Sequence, residues 1–498
     1  MALNNVIGII NGNIYTSFKP LRRSEALLSV HGRIVQTGKN RDIEKLTKDL
    51  GGIVVDVEGK TIFPGFIDAH LHLDEIGLSL NSVNLKGCKD IEELKERLRK
   101  GEKIGNKFVF AFGWDQEELG CWPSRSDLDE VFPDVPVMAA RKCMHAAVLN
   151  SVAIETTGIG RKFGESLFNS KLGLVFEEAF EFARSRLLET LTENDYAELI
   201  DVAQKHVIKE GITAVGFVSV SKKPLKGLFR LYRTGKLVLR VATYLTPKAF
   251  EGTKETLEGP FRNDRLRING LKIIADGSLG ARTARLREPY TDESNTKGVL
   301  LVKKKKLRRV VLDANERGFQ VAVHAIGDAT LDVVIEAYNG TENNRVEHAS
   351  IVRPDQIEQL KEINPYLVVQ PSFVLSDWWA ENRLGERKKY LYPFKTLLNA
   401  GLRLAFSTDA PIEPLNPWRT LRAAIVREEE GISHLQALHL YTKSAAESLL
   451  WNRLGSLERG NFADFIVLSE DPFNVQPEEL ERISVEETWI GGKRVFKA

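Results

Sequence analysis

"GFIDAHLH", residues 65–72, ends a run of apolar residues with two histidines separated by one leucine. An apolar run of this length, bounded by glycine and proline, reads as a buried strand. Residues two apart on a strand project to the same face, so His70 and His72 stand side by side near its C-terminal end. Two neutral imidazoles so placed suit a zinc-like ion. Taken alone, the pair also fits a structural reading in which one histidine is a satisfied core residue and the other incidental. The rest of the chain has to decide.

Onward from this strand, apolar strands alternate with helix-like segments, the pattern of βα units around a parallel sheet. After "TIFPGFIDAHLH" come "ITAVGFVSV", "VLRVATYL", "LRINGLKIIADG", "FQVAVHAIG", "NRVEHAS", "YLVVQPSF" and "LRLAFSTDA". Eight such strands close a TIM-type (β/α)8 barrel, whose active sites lie at the C-terminal ends of the strands. Metal-competent or proton-transfer residues recur at that position: Lys272, His324, His348 and Asp409. Closure would bring these scattered groups to one mouth. Lys272 is the odd member, because an ammonium repels a cation and a buried lysine must pair or neutralise. A salt bridge to Asp276 and carboxylation of the amine by carbon dioxide both answer that need, and both stay open. Asp409, between "FST" and "AP", fits an Asx-type turn cap and equally a base beside a metal-activated water.

The two ends of the chain read differently. Residues 1–63 and 455–498 are short strands with tight turns, expected to pair with one another as a composite β-sandwich domain. Residues 64–454 then form the barrel, and residues 78–205, too long for one crossover, form an inserted α+β subdomain after the first strand, where it would shape a pocket.

Composition excludes other classes. With Lys+Arg 70 against Asp+Glu 68, the 498-residue chain carries a formal charge of +2, no overall pull toward nucleic acid or anionic membrane. The basic run "KKKKLRR", Lys303 to Arg309, reads as a solvated helix face. No stretch reaches the roughly 18 apolar residues of a membrane span, and no leader is recognisable, so a cytoplasmic protein is expected. Cys88, Cys121 and Cys143 lack paired spacing and read as buried thiols. Abundant Lys, Arg and Glu with three Met and three Cys point to a thermophile.

The set "PGFIDAHLH", "KIIADGSLGARTA", "VHAIGDAT", "RVEHAS", "STDAP" and "ERGNFADFIVLSEDP" resembles the amidohydrolase superfamily, and within it the YtcJ-like branch, amidohydrolase family 3. The resemblance implies His70 and His72 on one metal, Lys272 as a carboxylated bridging ligand, His324 and His348 on a second metal, and Asp409 as ligand and proton acceptor. It leaves open whether one or two zinc ions, or other divalent metals, are held. Trp114 and His145 in the insertion resemble pocket segments; Asp276 and Arg282 around "GSLGARTA" are candidates to meet a polar substrate, with a loop-bracing ion pair as the competing reading. The expected activity is metal-dependent hydrolysis of an amide-type C–N bond in a small molecule by a metal-activated water, Asp409 serving as general base and then acid. Hydrolysis of an ester or cyclic amide on the same centre, and a non-catalytic scaffold, are the alternatives. A homodimer is the expected assembly.

Overall fold

The computed structural model describes residues 5–498. Eight parallel strands form its centre: β1 Phe66–Leu71, β2 Ile212–Val220, β3 Arg240–Leu245, β4 Leu266–Ile274, β5 Gln320–Ala325, β6 Arg345–His348, β7 Tyr366–Val369 and β8 Arg403–Phe406. They pair in chain order from β1 to β8. Val, Ile, Leu and Ala dominate them because both faces of a barrel wall are covered; Ile67, Val215, Val241, Val323 and Val346 are all fully buried. Each such aliphatic side chain contributes about 1.5–3 kcal/mol. Where two strands crowd, the side chain is dispensed with: a Cβ on Gly270 would collide with the carbonyl oxygen of Gln320.

The barrel is nearly closed. No ladder joins β8 to β1; the segment after β8 makes the seam instead. The amide of Asp409 donates to the His70 carbonyl at 2.9 Å, and that of His72 to the Ala410 carbonyl at 2.9 Å. Asp68 fastens it, accepting from the Thr408 amide at 3.1 Å, the Thr408 hydroxyl at 2.7 Å and the Tyr441 hydroxyl at 2.9 Å.

At the N-terminal end of the strands, Ala445, Ala446, Leu449 and Trp451 pack into a buried cluster with Ile67, Ala242, Ala322 and Ala405. Polar groups there are tied to backbone carbonyls: the Asn269 amide donates to Leu449 at 2.6 Å, Arg267 to Leu450 at 2.7 Å and the Gln320 amide to Ser448 at 3.2 Å.

Strands from both ends of the chain share one six-stranded sheet, in which Phe465–Leu468 pairs antiparallel with Thr61–Pro64. A four-stranded sheet of Val6–Ile10, Ala26–Val30, Arg33–Gly38 and Ile53–Asp56 contributes Ile9, Leu27 and Ile34 to a core that also holds Ile14, Ile62, Phe465 and Trp489. A buried ion pair joins these sheets to the barrel: Arg240 holds Asp464 through Nε at 2.5 Å and Nη2 at 2.8 Å. Removing one member of such a pair costs about 3–5 kcal/mol.

The chain divides into two compact units. The first comprises the residues through His72, Gln204–Ser221 and Leu237–Ala498; the second comprises Leu73–Ala203 and Lys222–Lys236. The second therefore takes in helix Lys222–Arg233, which follows β2, as well as most of the 78–205 stretch expected as an insertion, whose last two residues, Gln204 and Lys205, fall in the first. Its mixed six-stranded sheet is apolar on both faces. Phe110, Met138 and Ala140 pack under helices Ser151–Thr157 and Glu177–Glu189, and Val109, Ala111, Val137 and Ala139 under Ile91–Arg99 and Arg125–Val131. Side-chain alternation along adjacent strands produces the two cores. Cys88 is buried as expected, but Cys121 and Cys143 are exposed, because both lie in irregular turns outside this sheet. The basic run forms helix Lys304–Glu316, anchored by Leu307, Val311 and Ala314 with its lysines outward. Among the described residues, no helix is long and apolar enough to cross a membrane.

Candidate metal centre

His70, His72, Lys272, His324, His348 and Asp409, drawn from five strand ends, line a single cavity of about 390 Å3. The His324 and His348 rings lie 4.4 Å apart, and those of His70 and His348 5.1 Å. Asp409 Oδ1 is 3.2 Å from Nε2 of both His70 and His72. One donor atom each from His70, His348 and Asp409 falls within 4.8 Å of the others, close enough for a shared ion.

Each of three imidazoles is held by one ring nitrogen against an oxygen. His70 Nδ1 faces Glu347 Oε2 at 2.5 Å, and His324 Nε2 donates to the Gly277 carbonyl at 3.0 Å. His348 Nδ1 donates to Gln370 Oε1 at 2.8 Å. The Gln370 amide cannot turn round without loss, since its nitrogen donates to the Ser407 hydroxyl at 3.0 Å and the Val368 carbonyl at 3.2 Å. A proton fixed on one nitrogen leaves the other as a lone-pair donor, the arrangement typical of metal-bound histidine. Burial, reinforced by Lys272, lowers His324 to about 3; burial and the neighbouring His324 hold His348 well below the usual imidazole range. Both rings are therefore neutral, the state that binds cations.

Burial alone would raise Asp409, but charge attraction to His70, together with the contacts of His70 and His72, reverses that and holds it well below the ordinary carboxylate range. With the His70 Nδ1 proton committed to Glu347, the 3.2 Å contact between Nε2 and Asp409 sets two lone pairs against each other unless positive charge lies between them. An imidazolium proton would provide it; so would a divalent cation, with twice the charge. Lys272 adds a further mark. It is buried, its Nζ has no hydrogen-bond partner among the described residues, and burial lowers it to about 8 despite Glu347 and Asp409. The donor set fits a metal ion.

Two adjacent residues, Glu347 and His348, both meet His70, although neighbours on a regular strand face opposite ways. The backbone explains it: His348 has φ 72° and Ala349 φ 43°, a left-handed turn that swings the imidazole inward as β6 ends. Asp409, at φ 62°, ends β8 in the same manner. Non-glycine residues held in this region cluster at functional sites. Arg345 buttresses Glu347 with two hydrogen bonds of 2.7 and 2.8 Å while its guanidinium lies over the Tyr244 ring at 4.3 Å.

The family pattern of the amidohydrolases matches residues 53–496. The chain belongs to the amidohydrolase family. Over 98% of its length this amidohydrolase is 31% identical to the YtcJ protein of Bacillus subtilis strain 168, with 98% of that relative covered. It is 26% identical to an N-substituted formamide deformylase of Arthrobacter pascens, with 97% of each chain covered. An uncharacterized metal-dependent hydrolase from Pyrococcus horikoshii OT3, solved by crystallography, is 41% identical with a TM-score of 0.90, covering 95% of this chain and 99% of that one.

In this amidohydrolase the four expected substrate contacts sit in structural surroundings. Trp114 is fully buried in the core of the second unit, its indole donating to the Ala139 carbonyl at 2.8 Å. His145, in the same unit, is exposed and pairs with Glu177 at 3.1 Å. Asp276 has no exposed surface; its carboxylate accepts from the amides of Arg285, Ile326 and Gly327 and lies 3.4 Å from His324 Nε2, so it braces the loop after β4, and among the described residues its ion-pair contact is with His324, not Lys272. Arg282 pairs with Asp292 at 2.9 Å and Glu293 at 3.3 Å, which is the loop-bracing alternative. Glu347, Gln370 and Asp68 are the residues that motif reading passed over. A polar residue within a buried strand, or just past its end, is the signal all three carry.

Proposed function

We propose that this amidohydrolase cleaves an amide-type C–N bond of a small molecule at a centre of one or two divalent ions, zinc being best suited to the imidazole-rich set. His70 and His72 would hold one ion, His324 and His348 a second, with Asp409 as ligand to the first. The observation that carries the reading is the anchored state of three imidazoles around Asp409 and an unpartnered lysine. Carboxylation of Lys272 belongs to the proposal: an amine lowered to about 8 by burial has an appreciable neutral fraction near pH 7, and the carbamate would turn a stranded cation into a bridging carboxylate.

When bound, a divalent ion supplies Lewis acidity, polarising a carbonyl and making water easier to deprotonate. The chain supplies the rest. Asp409 takes the water proton on a carboxylate oxygen and returns it to the leaving nitrogen. Glu347, Gly277 and Gln370 keep the imidazoles from rotating. Similarity to a formamide deformylase favours an N-substituted amide over an ester. The two terminal sheets, which share a core, are read as the composite sandwich domain.

Metal analysis of protein purified without added metal, followed by a panel of N-formyl and N-acyl amides, cyclic amides and esters, tests this. One to two equivalents of metal and chelator-sensitive amide hydrolysis are expected. Turnover of esters alone reassigns the bond; full metal loading with no turnover across the panel leaves a scaffold.

A further inference from the structure

Above the ligand cluster the cavity is walled by Ile274, Leu279, Ile326, Phe373, Trp379 and Ile412. Ile274 and Ile412 are 53% and 66% exposed, unusual for aliphatic side chains inside a concavity and suited to being covered by an apolar arm of a ligand. One carboxylate interrupts this wall. Asp377 Oδ2 accepts from the Tyr392 hydroxyl at 2.6 Å, and both residues line the cavity. Glu413, buried nearby, keeps one carboxylate oxygen without a hydrogen-bond partner among the described residues, and burial, with Glu413 adding to it, raises Asp377 to about 6, so that Asp377 is still mostly ionised at neutral pH. Positive charge is scarce. Of the described residues lining the cavity, Lys272 is the one lysine or arginine, and it belongs to the ligand cluster. Arg383, 5.3 Å from the Trp379 ring centre, is committed to Asp292.

We propose that this wall selects substrates by charge. An amide carrying an apolar arm that is neutral or ends in an ammonium is admitted, an arm ending in a carboxylate is rejected, and Asp377 is the residue that determines the difference. The inference rests on the hydrolytic reading of the centre and names the class of substrate it takes. A carboxylate at the far end of the arm, away from the ligand cluster, would give up its hydration against Ile412 and Trp379, find no lysine or arginine beside it among the described lining residues, and meet like charge at Asp377. An ammonium would find a counter-ion and the aromatic faces of Phe373 and Tyr392.

The test uses three N-benzylformamides that differ at the para position: unsubstituted, aminomethyl and carboxylate. With the metal-loaded protein, kcat/KM for the carboxylate probe is expected at least about tenfold below the unsubstituted one, and that for the aminomethyl probe equal to it or higher. Asp377→Asn should shrink the aminomethyl-to-carboxylate ratio by about tenfold, and Asp377→Glu should largely keep it. If none of the three turns over, the wider amide and ester panel decides the hydrolytic reading, and affinities of the same compounds by titration calorimetry still report on the wall. Equal values for all three probes, in turnover or in binding, or binding by none, overturn the proposal; because the wild-type comparison stands without any variant, misfolding of Asp377→Asn cannot shelter it.

Discussion

The two ends of one barrel are built to opposite rules. At the N-terminal end, Leu449 and Trp451 fill the interior, and Arg267, Asn269 and Gln320 each spend a donor on a backbone carbonyl. At the C-terminal end the backbone turns left-handed at His348 and Asp409, Lys272 Nζ has no hydrogen-bond partner among the described residues and four histidines crowd one cavity. One end is filled with apolar side chains and ties most of its donors to backbone carbonyls, Asn269 Oδ1 and Trp451 Nε1 being left without partners among the described residues; the other leaves lone pairs facing inward and stores the capacity to bind. Separate substitutions should therefore separate the two properties.

The largest expected effect is at the open end. Asp409→Asn should lower kcat by about 10²–10⁴-fold while the protein keeps its melting temperature and at least one equivalent of metal, read by calorimetry and elemental analysis. Near-normal turnover would remove Asp409 as the base. At the closed end, Leu449→Ala should behave in reverse, costing about 2–5 kcal/mol of unfolding free energy in denaturant titrations with kcat little changed. If it instead abolished turnover in the folded protein, the division between the ends would be lost. Smallest in its effect at the metal centre is Glu347→Gln, which weakens the hold on His70 and leaves the buried Arg345 guanidinium without its counter-ion, at a cost in stability of about 3–5 kcal/mol: metal affinity should fall by about 10–100-fold, and the nitrogen-15 signals of the His70 ring in the metal-free protein should show mixed tautomers. Unaltered affinity and ring signals would reduce Glu347 to a packing residue.

Regular periodicity made much of this legible from the sequence. The apolar strands and their order emerge from alternation with helices, and the strand-end residues from position 70 to position 409 converge because every parallel strand points its C-terminus at the same mouth. What escaped notice broke the period or depended on company. Glu347 sits beside His348, and alternation assigns neighbours to opposite faces until the left-handed turn brings both inward. Gln370 is no metal ligand, so its part in orienting His348 becomes visible only once the two are adjacent. Trp114 resembles a pocket residue in its motif, yet the stretch around it belongs to a sheet buried on both faces, and that second face is not encoded in the motif. Residue type alone makes buried thiols of Cys121 and Cys143, whereas their exposure follows from the turns that carry them.

The pairing of Phe465–Leu468 with Thr61–Pro64, and of Asp68 with Thr408, sets a timetable for biosynthesis. A chain leaving the ribosome N-terminus first exposes Thr61–Pro64 as an open sheet edge, and β1 as an unsewn seam, until segments some hundreds of residues later have been translated. Open edges of this kind recruit foreign strands. Nascent protein truncated before residue 465 should therefore aggregate or occupy chaperones, whatever the state of the ligand cluster.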